Sequence, residues 1–473
     1  MKPLSIQQIR QAVGGRALSR VPAESVQVEV ISTDTRQMDA SKASLFVALK
    51  GDNFNGNYKL PDAAAGGAVA AIVDELIEPL PSNVHLIKVD NTRKALGKLA
   101  TFVRKTLKSK VIGVAGSNGK TSTKFLIDAA LSGKLEGTVS PKSFNNDIGV
   151  PLAIFPADPN ADYLVLEMGT NHHGEIKVLT DMALPDIAVI TNVGAEHLEG
   201  LDDLMGVRRE NAQVISGLNP RGCLVVNGDD AQLLEAVGGY KGQRITFGFN
   251  ETNDLFATDI SWDHNGTRFC LNGSTNRVVN VPMIGKHTAA NALAALAVAR
   301  RMGVSEDQAI ADLAEAKVQD GRMQRQEIGQ MTIINDAYNA NPNSMKAGLE
   351  TVSGLPAPAR RIAILGDMRE LGNSTERYHR ELGEFAGKCN FDLLFCVGAS
   401  ASWYVDGAKH AGMDVRRIMH YPDAKTLAGE IHLHVKSDDL VFLKASRSIG
   451  LEVIAKAIAE GQQQRFFKLA VAG

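Results

Sequence analysis

Cysteine is scarce in this chain. The four present, Cys223, Cys270, Cys389 and Cys396, are scattered over 473 residues and form no Cys-x-x-Cys pair. That pattern excludes a zinc ribbon or a disulfide framework and fits reduced thiols in a reducing compartment. Aromatic residues make up only 5% of the chain. No sign of charge dominates: 51 Lys and Arg stand against 53 Asp and Glu, a net charge of −2. This gives no electrostatic reason to expect nucleic acid or an anionic membrane surface. No apolar run is long enough to cross a bilayer, so no membrane insertion is expected. Met1-Lys2-Pro3-Leu4-Ser5 is not followed by the apolar stretch of a secretory signal, so no signal peptide is expected either. Repeats and low-complexity linkers are also missing, which implies compact domains on short connections. The absences leave a cytoplasmic protein of two to four domains.

What is present begins with residues 111–124, Val-Ile-Gly-Val-Ala-Gly-Ser-Asn-Gly-Lys-Thr-Ser-Thr-Lys. These read as a buried strand, a glycine-rich turn and the start of a helix. Gly116, Ser117, Asn118 and Gly119 let backbone N–H groups converge on phosphate oxygens, and the helix N-terminus adds partial positive charge. Lys120 would reach the β- and γ-phosphates, and the hydroxyls of Thr121 and Ser122 open the helix, with Thr121 placed for Mg²⁺. The generic P-loop has a glycine where Val114 stands, so the strict pattern fails by one residue.

The chain divides into three α/β units. Residues 1–88 form a small unit with strands at 26–30, 45–49 and 68–73, a helix at 62–67, and polar loops at 32–36 and 51–57. Residues 89–318 alternate strands and helices, which predicts a parallel sheet with ligands beyond the strand C-terminal ends. Short strands follow at 244–283, and an alanine-rich helix at 288–302. Residues 319–473 read as a second, Rossmann-like doubly wound sheet. It has no GxGxxG, so no NAD is expected there.

Several residues at strand ends are candidates for chemistry. Glu167 closes an apolar strand, where a carboxylate either binds Mg²⁺ or faces water. His197 follows the next strand in the same position. Asp336, past a strand of the third unit, is suited to a ribose hydroxyl or to capping the helix that holds Met345 and Leu349. Arg322 is a candidate phosphate clamp, since a guanidinium makes paired hydrogen bonds. Lys444 and Arg447 follow the last strand, where they can hold a substrate carboxylate or pair with Glu452.

The P-loop stretch Gly116-Ser117-Asn118-Gly119-Lys120-Thr121 resembles that of the Mur ligases, ATP-dependent amide-forming enzymes of peptidoglycan synthesis. Residues 167–176 (Glu-Met-Gly-Thr-Asn-His-His-Gly-Glu-Ile), 336–342 (Asp-Ala-Tyr-Asn-Ala-Asn-Pro) and 365–372 (Leu-Gly-Asp-Met-Arg-Glu-Leu-Gly) resemble the branch that adds D-alanyl-D-alanine. The resemblance implies three domains: one for the UDP part of UDP-N-acetylmuramoyl-tripeptide, one for ATP and Mg²⁺, and a third for the dipeptide and part of ATP. By position, Ser32, Thr35 and Arg36 match the UDP-side loop. Asn145, Asn146, Asn171 and His172 match central substrate loops, and Asn291 the adenine contact. Arg322 and Asp336 match phosphate and ribose contacts. Tyr338 and Asn339 are implied substrate contacts, and Lys444 and Arg447 match the segment near the dipeptide. Lys120, Glu167, His197 and Arg322 are the implied catalytic set, with Thr121, Glu167 and His197 holding metal. A monomer is expected, with the third domain closing on the second. The alternatives are another amide ligase of this type, a generic P-loop NTPase, and a non-catalytic homologue.

The chain also departs from the pattern. Asn57 stands for a usual histidine, Thr288 for an asparagine and Ala445 for a glycine. Asn211 stands where many members have a lysine whose carbamate helps bind a second Mg²⁺. Asn211 itself, Glu210 or a water would take that place, or the second ion is held less tightly.

Overall fold

Val111, Ile112, Val114 and Ala115 are all fully buried, so the strand Lys110–Ala115 runs through the middle of a sheet. In the computed structural model, which describes residues 1–18, 26–357 and 359–461, both of its neighbours are parallel. Val114 pairs with Glu167 on one side, and Ala115 with Ile190 on the other. The three strands therefore end at one edge, where Gly116, Met168 and Thr191 leave the sheet side by side.

That sheet has nine strands. Their order is Gly137–Val139, Tyr163–Glu167, Lys110–Ala115, Ile187–Ile190, Cys223–Asn227, Gln243–Gly248, Leu255–Asp263, Gly266–Leu271 and Val278–Val281. The first seven are parallel and the last two add antiparallel. The short strands expected after residue 244 thus extend the same sheet. One face packs on the helices Lys120–Ser132 and Lys286–Arg301, through Leu126, Ile127, Leu293 and Leu296. The other packs on Thr92–Arg104 and Glu175–Ala183.

The first unit has a five-stranded sheet, in the order Arg16–Ala17, His85–Lys88, Ala68–Val73, Ser44–Val47 and Val30–Ser32. The single strand expected at 26–30 is two. Gln27–Val28 pairs antiparallel with Leu4–Ser5, while Val30–Ser32 pairs parallel with Ser44–Val47. Alternating burial reports which face is covered, and says nothing of a change of partner between Val28 and Val30. The small helix spans Leu60–Ala65, two residues earlier than expected, because Pro61 suits its first turn. The helix Thr92–Arg104 lies past residue 88. It shares one core with Ile9 and Val13 of the first unit and with Ile176 and Leu179 of the second.

The third unit is a six-stranded sheet in the order Gln324–Ile328, Met331–Asn335, Leu440–Lys444, Arg361–Gly366, Leu393–Val397 and Ile418–Tyr421. All but the first strand are parallel. Apolar clusters cover both faces, with Leu349 and Leu382 in one and Leu427 and Ile454 in the other. The doubly wound expectation holds. Among the described residues no helix is long and apolar enough to cross a membrane.

Gly116 sits at φ +126°, and a Cβ there would lie 2.1 Å from Thr191 Oγ1. A Gly116→Ala variant is expected to lose about 2–5 kcal/mol of stability, from backbone strain plus overpacking. Denaturant unfolding measures this, and an unchanged midpoint would contradict the tight strand-to-loop turn.

Candidate active site

Glu167 ends its strand with 1% exposure, far from the usual setting of a carboxylate. Four groups make that burial possible. Thr121 Oγ1 donates to its Oε2 at 2.8 Å, and Asn145 Nδ2 to its Oε1 at 2.9 Å. Lys124 Nζ lies 3.1 Å from Oε2 and also donates to Ser140 Oγ at 3.2 Å. Ser140 Oγ in turn accepts from the Glu167 backbone N–H. Lys124 is fully buried, and burial pushes its ammonium down while Glu167 opposes that shift. The pair sits one helical turn from Lys120, so the P-loop helix carries both cations on one face.

The third unit docks over this edge. Arg322 Nη2 donates to Thr121 Oγ1 at 3.0 Å, and Asn341 Nδ2 donates to Asn118 Oδ1 at 2.8 Å. Ala195 N–H donates to Asn343 Oδ1 at 3.2 Å. Arg322 also stacks on Tyr338, 4.2 Å from the ring centroid, and Tyr338 OH meets Ser143 Oγ. Between the units lies a cavity of about 830 Å³. Residues 117–122 of the P-loop line it, as do Glu167, His197, Asn291 and Arg322. Asn291 is pressed close to the loop: a Cβ on Gly119 would lie 2.5 Å from Asn291 Oδ1.

His197 does not pair with Glu167. Its Nδ1 bonds to Glu370 of the third unit, and its Nε2 lies 3.9 Å from Glu196 Oε2. Glu196 is also 3.8 Å from Lys120 Nζ, and its Oε1 is buried with no partner among the described residues. Burial raises the Glu196 carboxyl against the pull of Lys120 and His197. Lys120 itself donates to the carbonyls of Gly116 and Ser117. A threonine hydroxyl and carboxylate oxygens are hard donors of the kind Mg²⁺ takes, and the orphaned Glu196 Oε1 is an oxygen that a cation would satisfy. The residues fit the ion. Among the described residues no three His, Cys, Asp or Glu side chains form a ready metal cluster.

The remaining candidates fall in three groups. Asn145, Asn146, Asn171, His172, Asp336, Tyr338, Asn339 and Lys444 line the cavity. Asn146 Oδ1 also accepts from the Gly149 N–H at 2.8 Å, and the Asn171 and His172 N–H groups donate to Glu175. Lys444 is paired with Asp336 at 2.5 Å. Arg447 pairs with Glu452 and also lies over Tyr338, 5.6 Å from the ring centroid, which keeps it beside the cavity. Ser32, Thr35 and Arg36 lie outside the cavity, on a loop where Ser32 Oγ donates to the Asp34 carbonyl and Arg36 clasps the Asp34 carboxylate. The capping role considered for Asp336 is filled by Asn341, in a capping box with Ser344. The signal was there: Asn341-Pro342 is a cap followed by proline in the first turn.

Asn211 is buried, with its Nδ2 donating to the Val207 carbonyl one turn back. The Glu210 carboxylate accepts from the Gly174 and Ile176 N–H groups, both at 2.7 Å. Of the substitutes named for the missing lysine, Glu210 therefore has its oxygens already engaged. Lys124, Glu196, Asn341 and Glu370 are the site residues that sequence reasoning passed over. Lys124 and Glu196 had a local signal, one as a charge on a buried helix face and the other beside His197.

A Lys124→Met variant fills the same space without the charge and leaves Glu167 buried among neutral partners. It is expected to cost about 3–5 kcal/mol. Chemical denaturation checks this; a loss below about 1 kcal/mol, as for an exposed pair, would contradict it.

The comparisons with known proteins agree with this geometry. The Mur ligase middle domain pattern matches residues 114–299, and the "Mur ligase, glutamate ligase domain" pattern matches residues 321–447. The UDP-N-acetylmuramoyl-tripeptide--D-alanyl-D-alanine ligase of Bacillus subtilis is 35% identical over 459 residues, spanning 96% of this chain and 98% of that one. A crystal structure of MurF from Acinetobacter baumannii superposes with a TM-score of 0.87 at 29% identity, over 97% of this chain and 99% of that one. MurF ligase from Thermotoga maritima, in complex with ADP, superposes with a TM-score of 0.81 at 27% identity, over 93% and 99%. With both patterns in order and a relative matched nearly end to end, the chain belongs to the Mur ligase family.

Proposed function

We infer that this chain is an ATP-dependent ligase that joins D-alanyl-D-alanine to UDP-N-acetylmuramoyl-tripeptide in the cytoplasm. The observation that carries the reading is Arg322 of the third unit donating to Thr121 of the P-loop, which makes one cavity out of two units. The relatives named for this reaction support it along almost the whole chain.

The chemistry follows from leaving groups. A carboxylate oxygen is a poor leaving group, so the tripeptide carboxylate first takes the γ-phosphoryl group of ATP, giving an acyl phosphate and ADP. The dipeptide amine then attacks that carbonyl, and phosphate leaves from the tetrahedral intermediate. The protein's part is positioning and charge neutralisation. Lys120 and Arg322 offset charge on the moving phosphoryl group. Thr121, Glu167 and His197 would hold Mg²⁺, which supplies further neutralisation of the phosphates when bound. Asn291 contacts adenine and Asp336 the ribose. Asn145, Asn146, Asn171 and His172 face the tripeptide, and Tyr338, Asn339 and Lys444 the dipeptide. Residues 1–88, with Ser32, Thr35 and Arg36, bind the UDP end. Residues 89–318 bind ATP, and 319–473 complete the site.

Phosphate release is the test, with purified protein, ATP, Mg²⁺, D-alanyl-D-alanine and a UDP-tripeptide carrying either meso-diaminopimelate or lysine. Release that depends on the dipeptide is expected with one of them; none with either would overturn the reading. An Arg322→Lys variant is expected to lose about 10- to 150-fold in kcat/KM, the equivalent of one charge-assisted hydrogen bond.

A further inference from the structure

Residues 365–372, picked out in the sequence, are built to carry one side chain across the interface between the second and third units. The backbone is pinned residue by residue. The Asp367 carboxylate is buried and accepts from the Ser400 N–H at 3.0 Å, and the Asp367 carbonyl accepts from the Ser446 N–H at 3.1 Å. Met368 N–H donates to His379 Nε2 at 3.1 Å, and Arg369 N–H to Ser446 Oγ at 2.9 Å. Glu370 then turns into the left-handed region at φ +62°, which non-glycine residues seldom adopt. That turn sends both its carbonyl and its side chain toward the central unit. The carbonyl accepts from the Glu199 N–H at 3.2 Å, and the carboxylate meets His197 Nδ1. His197 is itself left-handed, at φ +49°. Two such residues from different units thus meet at a single hydrogen bond, and strain of this kind collects where function requires it.

The bond also decides which ring nitrogen carries the proton. An ionised carboxylate has no proton to give and only accepts. Nδ1 is then the donor, and a cation bound at Nε2 takes the lone pair there, so one tautomer serves both contacts. Nε2 lies 3.9 Å from Glu196 Oε2, in the cavity. A metal-binding histidine has this arrangement, with the far nitrogen tied to a carboxylate that fixes tautomer and orientation.

We propose that Glu370 is a positioning residue supplied by the third unit: it sets the tautomer and aim of His197, so the cation site of the central unit is complete only when the third unit is docked. The proposal rests on the reading of His197 as a metal ligand. It ties domain docking to ion binding through one side chain.

The test uses Mn²⁺ as the probe, with a non-hydrolysable ATP analogue present, and follows free Mn²⁺ by electron paramagnetic resonance in the full chain. Wild type is compared with Glu370→Ala, Glu370→Gln and His197→Ala. The Glu370 side chain is half exposed, so its removal leaves the core intact. Glu370→Ala is expected to weaken Mn²⁺ binding by about 10- to 100-fold. In protein labelled with ¹⁵N-histidine, it is also expected to lose the Nδ1–H signature of His197. Glu370→Gln still offers an oxygen to Nδ1 and is expected to recover most of both. If His197→Ala weakens Mn²⁺ binding and Glu370→Ala does not, the proposal is overturned while the metal reading stands. If His197→Ala leaves Mn²⁺ affinity unchanged, the metal reading fails and the proposal falls with it.

Discussion

The carboxylate of Glu167 has to be kept charged in a place with almost no water. Everything around the P-loop answers to that requirement. Lys124 supplies a buried counter-charge, Asn145 and Thr121 supply hydrogen bonds, and Ser140 bridges Lys124 to the strand backbone. Removing any one partner would leave a buried charge short of compensation, which is among the most costly local changes a fold can suffer. The parallel register that sets Val114 beside Glu167 is thus a condition for the chemistry as well as for the sheet. The same hydroxyl that serves Glu167 receives Arg322, so the buried network extends without a break into the third unit.

That continuity explains why the site needs two units. An acyl phosphate is destroyed by water, so the groups that make it must also enclose it. The third unit provides roof and charge together: Arg322 over Thr121, Asn341 on Asn118 and Tyr338 on Ser143. The interface is wider than these polar contacts: Ala195, Leu198 and Leu201 of the central unit share one apolar cluster with Met368 and Leu371 of the third.

Much of this was legible in the residues. Gly116 to Thr121 announce a phosphate loop because few other local structures require that order of glycine, lysine and threonine. The strand-end position of Glu167 follows from parallel-sheet logic alone, whereas His197 lies seven residues beyond Ile190, just ahead of the short helix Leu198–Leu201. Partner choice was not legible. The break between Val28 and Val30 depends on which strand lies alongside, and alternation carries no information on that. The bond from Glu370 to His197 joins positions 173 residues apart, and only the docking of two units brings them together. Arg447 illustrates the opposite case. Its partner Glu452 lies five residues further along the same segment, close enough for the sequence to offer the pairing.

The P-loop's phosphate chemistry is aimed at a carboxylate. Tripeptide labelled with ¹⁸O in its terminal carboxylate tests it directly. If the carboxylate attacks the γ-phosphorus, one labelled oxygen leaves with the phosphate when the amide forms. Mass spectrometry of the released phosphate should then find one ¹⁸O per turnover. Unlabelled phosphate, with amide still formed, would show that the carboxylate never attacked the γ-phosphorus.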